Sequence, residues 1–187
     1  MMADGCSAAI LAGGAATRFG GRDKSALTIG GRTILERQID VLSAVVDEVL
    51  VVREDLVPGC GPLGGLHTAL TRARGRAVFV IACDMPYVEA PFVRHLLDLS
   101  RDADIVVPCT EDGYHPLCAV YSRACLDAVA RRLADRRLKM TDLFSDVRVR
   151  VVRTREIDAF GDRHRLLANV NTPADYAGLE ALQGHKL

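Results

Sequence analysis

Net charge is the first thing this chain lacks. Its 24 Lys and Arg residues are balanced by 24 Asp and Glu, so it has no overall field to gather a polyanion, and nucleic acid is excluded as a partner. The short basic runs, Arg131-Arg132, Arg136-Arg137 and the stretch from Arg148 to Arg155, read as solvated faces. Long apolar runs are missing too. Nothing approaches the roughly 18 uninterrupted apolar residues of a membrane span, and Met-Met-Ala-Asp-Gly-Cys at the start has neither the basic nor the apolar region of a secretory signal. Cysteine pairing is absent as well. Cys6, Cys60, Cys83, Cys109, Cys118 and Cys125 form no Cys-x-x-Cys pair and have no neighbouring histidines, which excludes a structural zinc site. They read as free thiols in a reducing compartment, and the protein as cytoplasmic, with no membrane partner.

What is present is alternation. Short apolar runs (Ser7 to Leu11, Glu48 to Val52, Ala77 to Ala82, Ile105 to Val107, Leu117 to Tyr121 and Val147 to Val152) read as strands. Between them, Ile34 to Val46, Gly64 to Ala73, Pro91 to Leu99, Arg123 to Leu133 and Lys139 to Phe144 read as helices. A closing helix is expected over Pro173 to Leu182, with Thr172 as its cap. Strands alternating with helices predict an α/β fold, a mostly parallel sheet covered on both faces in three layers, α/β/α. There is no repeat, low-complexity tract or linker, so residues 1–187 are expected to form a single domain.

Chemistry enters at the end of the first strand. Leu11-Ala-Gly-Gly-Ala-Ala-Thr-Arg-Phe-Gly-Gly-Arg-Asp-Lys24 places Gly13 and Gly14 at the first strand-to-helix turn, where backbone N–H groups can face an anion. Arg18 and Lys24 add cations suited to a polyphosphate whose charge shifts during transfer. The spacing matches neither G-x-G-x-x-G nor G-x-x-x-x-G-K-[ST]. A second feature is Cys83-Asp84-Met85-Pro86, where an aspartate follows the apolar strand Ala77 to Ala82. Asp84 at a strand's carboxyl end is placed either to hold Mg²⁺, which takes one or two carboxylates plus phosphate oxygens, or simply to cap the next turn.

The fourteen-residue loop resembles the L-A-G-G-x-x-x-R-x-G-x-x-D-K signature of the molybdenum cofactor guanylyltransferases, and more broadly of the nucleotidyltransferases that activate sugars and pterins. The resemblance runs in order along nearly the whole chain. It implies a Rossmann-like nucleotidyltransferase sheet, with a nucleotide-binding part over about residues 1–100 and an acceptor-binding part over about 101–187. It implies that Leu11, Ala12, Gly13, Gly14 and Lys24 bind the nucleotide, that Arg18 lies near its phosphates, and that Asp84, in a Cys-Asp-x-Pro motif, ligates Mg²⁺. Arg18, Lys24 and Asp84 would then be the catalytic set. Pro58-Gly-Cys-Gly-Pro-Leu-Gly-Gly65 is similar to the segment lining the nucleoside side, and Asp55 to the aspartate that precedes it.

His115, by its surroundings a loop histidine, matches a His-Pro pair near the acceptor pocket. Asn169 and Asn171 match the closing N-x-N-T-P motif. The implied reaction transfers GMP from GTP to molybdopterin or its molybdenum-loaded form, releasing pyrophosphate. GTP and molybdopterin would be the partners, with transient contact with other molybdenum cofactor biosynthesis proteins. The chain departs from the pattern after Val52, where members usually carry a further polar stretch with an asparagine for guanine. Molybdopterin cytidylyltransferase, sugar-phosphate nucleotidyltransferase and a non-catalytic nucleotide-binding module therefore stay open as alternatives.

Overall fold

The first strand, β1 (Cys6–Leu11), is buried along its whole length, as befits an apolar run with a covered face on either side. In the computed structural model, which describes residues 5–13 and 27–170, β1 pairs in parallel with β4 (Glu48–Val52) and with β5 (Ala77–Ala82). Between them in sequence lie a small ribbon, β2 (Thr28–Ile29) with β3 (Arg32–Thr33), and the helix α1 (Ile34–Ser43). Leu11 stands opposite Val52 on one side and Ala82 on the other. Three strands therefore end at one level.

Beyond β5 come β6 (Ile105–Thr110), β7 (Gly113–Tyr114), β8 (Cys118–Ser122) and β9 (Val149–Arg153). They complete a seven-stranded sheet of order β4-β1-β5-β8-β6-β7, with β9 on β6. The expectation of a mostly parallel sheet holds. One strand in its middle reverses: β8 is antiparallel to both β5 and β6, because the short turn at β7 brings the chain straight back.

Side chains alternate across a strand, and β1 shows the consequence. Cys6, Ala8 and Ile10 pack with Leu42, Phe92 and Leu96 of α1 and α3 (Ala90–Leu99). Ala9 and Leu11 pack with Leu63 and Leu66 of α2 (Gly61–Arg72) and Val129 of α4 (Leu126–Ala134). These are the three layers expected from the alternation. Helix α1 begins where Thr33 and Glu36 close a capping box, Glu36 N donating to Thr33 Oγ1 at 3.1 Å and Thr33 N to Glu36 Oε2 at 2.8 Å.

Several local expectations are corrected. Residues 139–144 were expected as a helix, but Met140–Ser145 forms a three-ten helix. Arg132 is not on a solvated face. It is 2% exposed, donating to Asp146 Oδ2 at 2.7 Å and to the Asp142 carbonyl, so it staples that segment to α4. Two short helices, α5 (Thr154–Ile157) and α6 (Arg163–Leu166), follow β9 without a clear periodic signal. The expected helix from Pro173 lies outside the described residues.

At the amino edge of the sheet the polar groups close on one another. Ser7 Oγ donates to Glu48 Oε2 at 2.7 Å and accepts from Gly75 N at 2.9 Å. Arg74 donates to Glu48 through its backbone N at 2.8 Å and its Nε at 2.7 Å. Only glycine suits position 75, since a Cβ there would lie 2.6 Å from Ser7 N.

Candidate functional site

The opposite, carboxyl edge collects those residues singled out from the sequence that the structure describes. Ala12 N donates to Val52 O at 2.8 Å, bending the chain off β1 across the end of β4. Gly13 follows so closely that a Cβ would stand 2.8 Å from the Arg53 carbonyl oxygen, which accounts for the glycine on steric grounds. On the other flank Cys83 N donates to Leu11 O at 3.2 Å. The start of the glycine loop and the Asp84 turn are thus tied by a backbone bond.

Asp84 occupies a tight turn, with Met85 N donating to Ala82 O at 3.4 Å. Its Oδ1 is shut off from solvent. Val170 N donates to the Asp84 carbonyl at 2.8 Å, so the start of the Asn-Val-Asn-Thr-Pro motif returns to the same turn. Val170 itself is buried with Ile29, Ile34 and Tyr87, and Asn169 beside it is exposed. Gly14, Arg18, Lys24 and Asn171 lie outside the described residues.

Asp55 sits on residues 53–60, the connection from β4 to α2. Its carboxylate lies over the first turns of α2, where a Cβ on Gly64 would come within 3.1 Å of Oδ2 and one on Gly65 within 3.6 Å of Oδ1. The two glycines make room for it, and burial pushes its pKa up. Leu11 fills the space beneath, its Cδ1 only 3.0 Å from where a Gly65 Cβ would be. Thr68, fully buried, holds this connection: its Oγ1 accepts from Leu56 N at 2.8 Å and donates to Gly64 O at 2.9 Å.

His115 reaches the same edge because β8 runs backwards. Ala82 N donates to Leu117 O at 3.0 Å, so the His115-Pro116 turn stands beside the end of β5. His115 Nε2 lies 2.9 Å from Thr110 Oγ1. Burial lowers its pKa against the opposing pull of Asp112 and Glu111, favouring neutral imidazole. Tyr121, buried, donates its hydroxyl to Pro116 O at 2.7 Å and so fixes the turn from below.

Sequence reasoning missed Gln38, Thr68 and Tyr121, which brace these loops from the core. The signal for Gln38 was there to be read. Ile34, Gln38 and Leu42 follow one another at helical spacing and are all buried, so an amide stands on an apolar stripe.

A cavity of 420 Å³ lies on the α1 and α3 side, lined by Arg32, Arg37, Tyr87, Pro91 and Arg165 among others. Its guanidiniums are engaged: Arg32 with Asp40, Arg37 with Ile29 O at 3.5 Å, and Arg165 over the Tyr87 ring at 4.8 Å.

With this geometry in view, the family model described as "MobA-like NTP transferase domain" matches residues 8–149, from β1 through the start of β9. The chain belongs to the MobA-like NTP transferase family. The chain is 34% identical to the probable molybdenum cofactor guanylyltransferase of Pelotomaculum thermopropionicum, with 89% of this chain and 87% of that protein covered. It is 31% identical to the molybdenum cofactor guanylyltransferase of Desulfosudis oleivorans, over 95% of this chain and 96% of that one. In fold it is similar to the crystal structure of molybdopterin-guanine dinucleotide biosynthesis protein A from Archaeoglobus fulgidus, with a TM-score of 0.82 at 23% identity, covering 95% and 98% of the two chains. The MobA-like match thus takes in β1, β4 and β5, whose carboxyl ends form the edge described above.

Among the described residues no group of three or more His, Cys, Asp and Glu is disposed as a metal cage, and no helix is long and apolar enough to cross a membrane.

Proposed function

We propose that this chain is a molybdenum cofactor guanylyltransferase, transferring GMP from GTP to molybdopterin and releasing pyrophosphate. The observation that carries the reading is the bond from Cys83 N to Leu11 O. It sets the root of a glycine-rich loop beside a strand-end aspartate, as a phosphate cradle and a cation site must be.

Asp84 is assigned as the carboxylate that holds Mg²⁺. A single aspartate, in no group of three or more metal-ligating side chains among the described residues, suits a cation that would fill most of its shell from phosphate and water. When bound, Mg²⁺ neutralises charge on the triphosphate during attack at the α-phosphorus. The chain's own part is positioning and electrostatics. Backbone amides at Gly13 and Gly14 cradle phosphate, Lys24 and Arg18 balance the charge of the departing pyrophosphate, and Leu11 and Ala12 shape the loop's root. Asp55, held half-buried beside Gly64 and Gly65, accepts a hydrogen bond from the nucleoside. Neutral His115, with Asn169 and Asn171, is assigned to binding the acceptor, whose terminal phosphate is the nucleophile. No side-chain nucleophile is required. The protein works as one domain in the cytoplasm, meeting other proteins of the same biosynthesis transiently.

The short connection over residues 53–60 bears on base choice, since it carries Asp55 but no asparagine for guanine. Calorimetric titration with GTP, CTP and UTP in the presence of Mg²⁺ tests the assignment. GTP is expected to bind at least about ten-fold tighter than the others, a gap of roughly 1.4 kcal/mol. Tighter binding of CTP would make the protein a cytidylyltransferase. Tight GTP binding without pyrophosphate release in the presence of acceptor would leave a binding module.

A further inference from the structure

Gln38 is buried at 1% exposure in the middle of α1. Its Nε2 donates to Ala82 O at 2.8 Å and to Met85 O at 2.9 Å. Those two carbonyls are the ends of the turn that displays Asp84, so one side-chain amide clamps the turn across its mouth. Both of its protons are used. Its Oε1, equally buried, has no hydrogen-bond partner among the described residues. Leaving a buried acceptor unmatched works against stability, and a leucine or methionine at this point of the apolar stripe would avoid it. The amide is therefore poorly explained as core filling and well explained by what its two N–H groups hold.

We propose that Gln38 is a positioning residue for the divalent cation. It acts through the Asp84 turn, fixing the Ala82 and Met85 carbonyls so that the Asp84 carboxylate is presented in one orientation. The turn is anchored on its other sides by the bond from Cys83 N to Leu11 O and that from Val170 N to Asp84 O. Gln38 supplies the anchor on the α1 side. Partners that orient a metal ligand without touching the metal characteristically change metal affinity about ten-fold or more when removed.

This inference rests on the assignment of Asp84 to the cation, so the experiment separates the two. Mn²⁺ binding to the full-length protein with GTP is followed by electron paramagnetic resonance for wild type, Gln38→Met, Gln38→Leu and Asp84→Asn. GTP binding in EDTA and the melting temperature are measured alongside. The expected result is loss of the Mn²⁺ site in Asp84→Asn and an apparent Mn²⁺ dissociation constant raised about ten-fold in Gln38→Met. Metal-free GTP binding should be unchanged, and excess cation should restore turnover in Gln38→Met. If Asp84→Asn weakens Mn²⁺ and neither Gln38 variant does, Gln38 only fills space and the proposal is overturned. If the Gln38 variants weaken metal-free GTP binding to the same degree as Mn²⁺ binding, the site is generally distorted, which also overturns it. If Asp84→Asn leaves Mn²⁺ unmoved, the Asp84 assignment itself fails.

Discussion

The two edges of the same sheet are built on opposite principles. At the amino edge, Ser7, Glu48, Arg74 and Gly75 satisfy one another. Burial alone would raise the pKa of Glu48, but hydrogen bonds from Arg74 and Ser7 outweigh it and the carboxyl titrates below its usual range. At the carboxyl edge, burial dominates at Asp55 and raises its pKa, and the Gln38 acceptor has no partner among the described residues. Strand ends of the same sheet thus hold one carboxylate whose charge is stabilised by its partners and another whose charge is disfavoured by burial. Polar groups that work against folding where a ligand would bind are the expected mark of a functional edge.

That contrast can be broken at either edge. The largest effect is expected from Asp84→Ala: turnover falls at least about 100-fold, while urea denaturation moves little. At the amino edge the pattern inverts. Gly75→Ala drives a Cβ into Ser7 N and should destabilise the fold by about 3 kcal/mol in urea denaturation, leaving turnover per folded molecule unchanged. A smaller, sharper comparison uses pH. An acid whose folded pKa is lowered stabilises above its unfolded pKa, and that contribution is lost as pH falls through the folded value. Glu48→Gln should therefore lower the melting temperature by a few degrees at neutral pH, with the deficit closing in acid.

For Asp55 the sign reverses. A raised folded pKa means the ionised group opposes folding at neutral pH, so Asp55→Asn should raise the melting temperature while weakening GTP binding. Its gain should shrink as pH falls through the raised folded pKa and be gone below the unfolded pKa of aspartate. Smallest of all, His115→Ala should raise the KM for acceptor several-fold with the KM for GTP unchanged. A rise in both would place His115 on the nucleotide side.

Much of this organisation was legible in the residues. Ala77 to Ala82 and Glu48 to Val52 are strands over the same residues as expected, the first because a run buried on both faces carries an unbroken apolar signal, the second because it is rich in β-branched residues. The reversal of β8 was not legible, since Cys118–Ser122 looks the same in either direction and only the hairpin turn decides it. Met140–Ser145 is helical as expected but three-ten, and what was misread is Arg132, a basic residue that composition alone assigns to water and that is buried against this segment. In the site, Gly13 and Asp84 announce themselves by motif. The braces, Gln38, Thr68 and Tyr121, act through hydrogen bonds to distant backbone, and no local pattern carries that information.

The central claim is that the carboxyl edge transfers GMP. The direct measurement incubates the protein with molybdopterin, Mg²⁺ and each of GTP, CTP and ATP, quantifying pyrophosphate and the pterin dinucleotide formed, for wild type and Asp84→Ala. Stoichiometric pyrophosphate and guanine dinucleotide from GTP alone, abolished in Asp84→Ala, is the result expected. Undiminished product from Asp84→Ala, or product from CTP in preference to GTP, would contradict it.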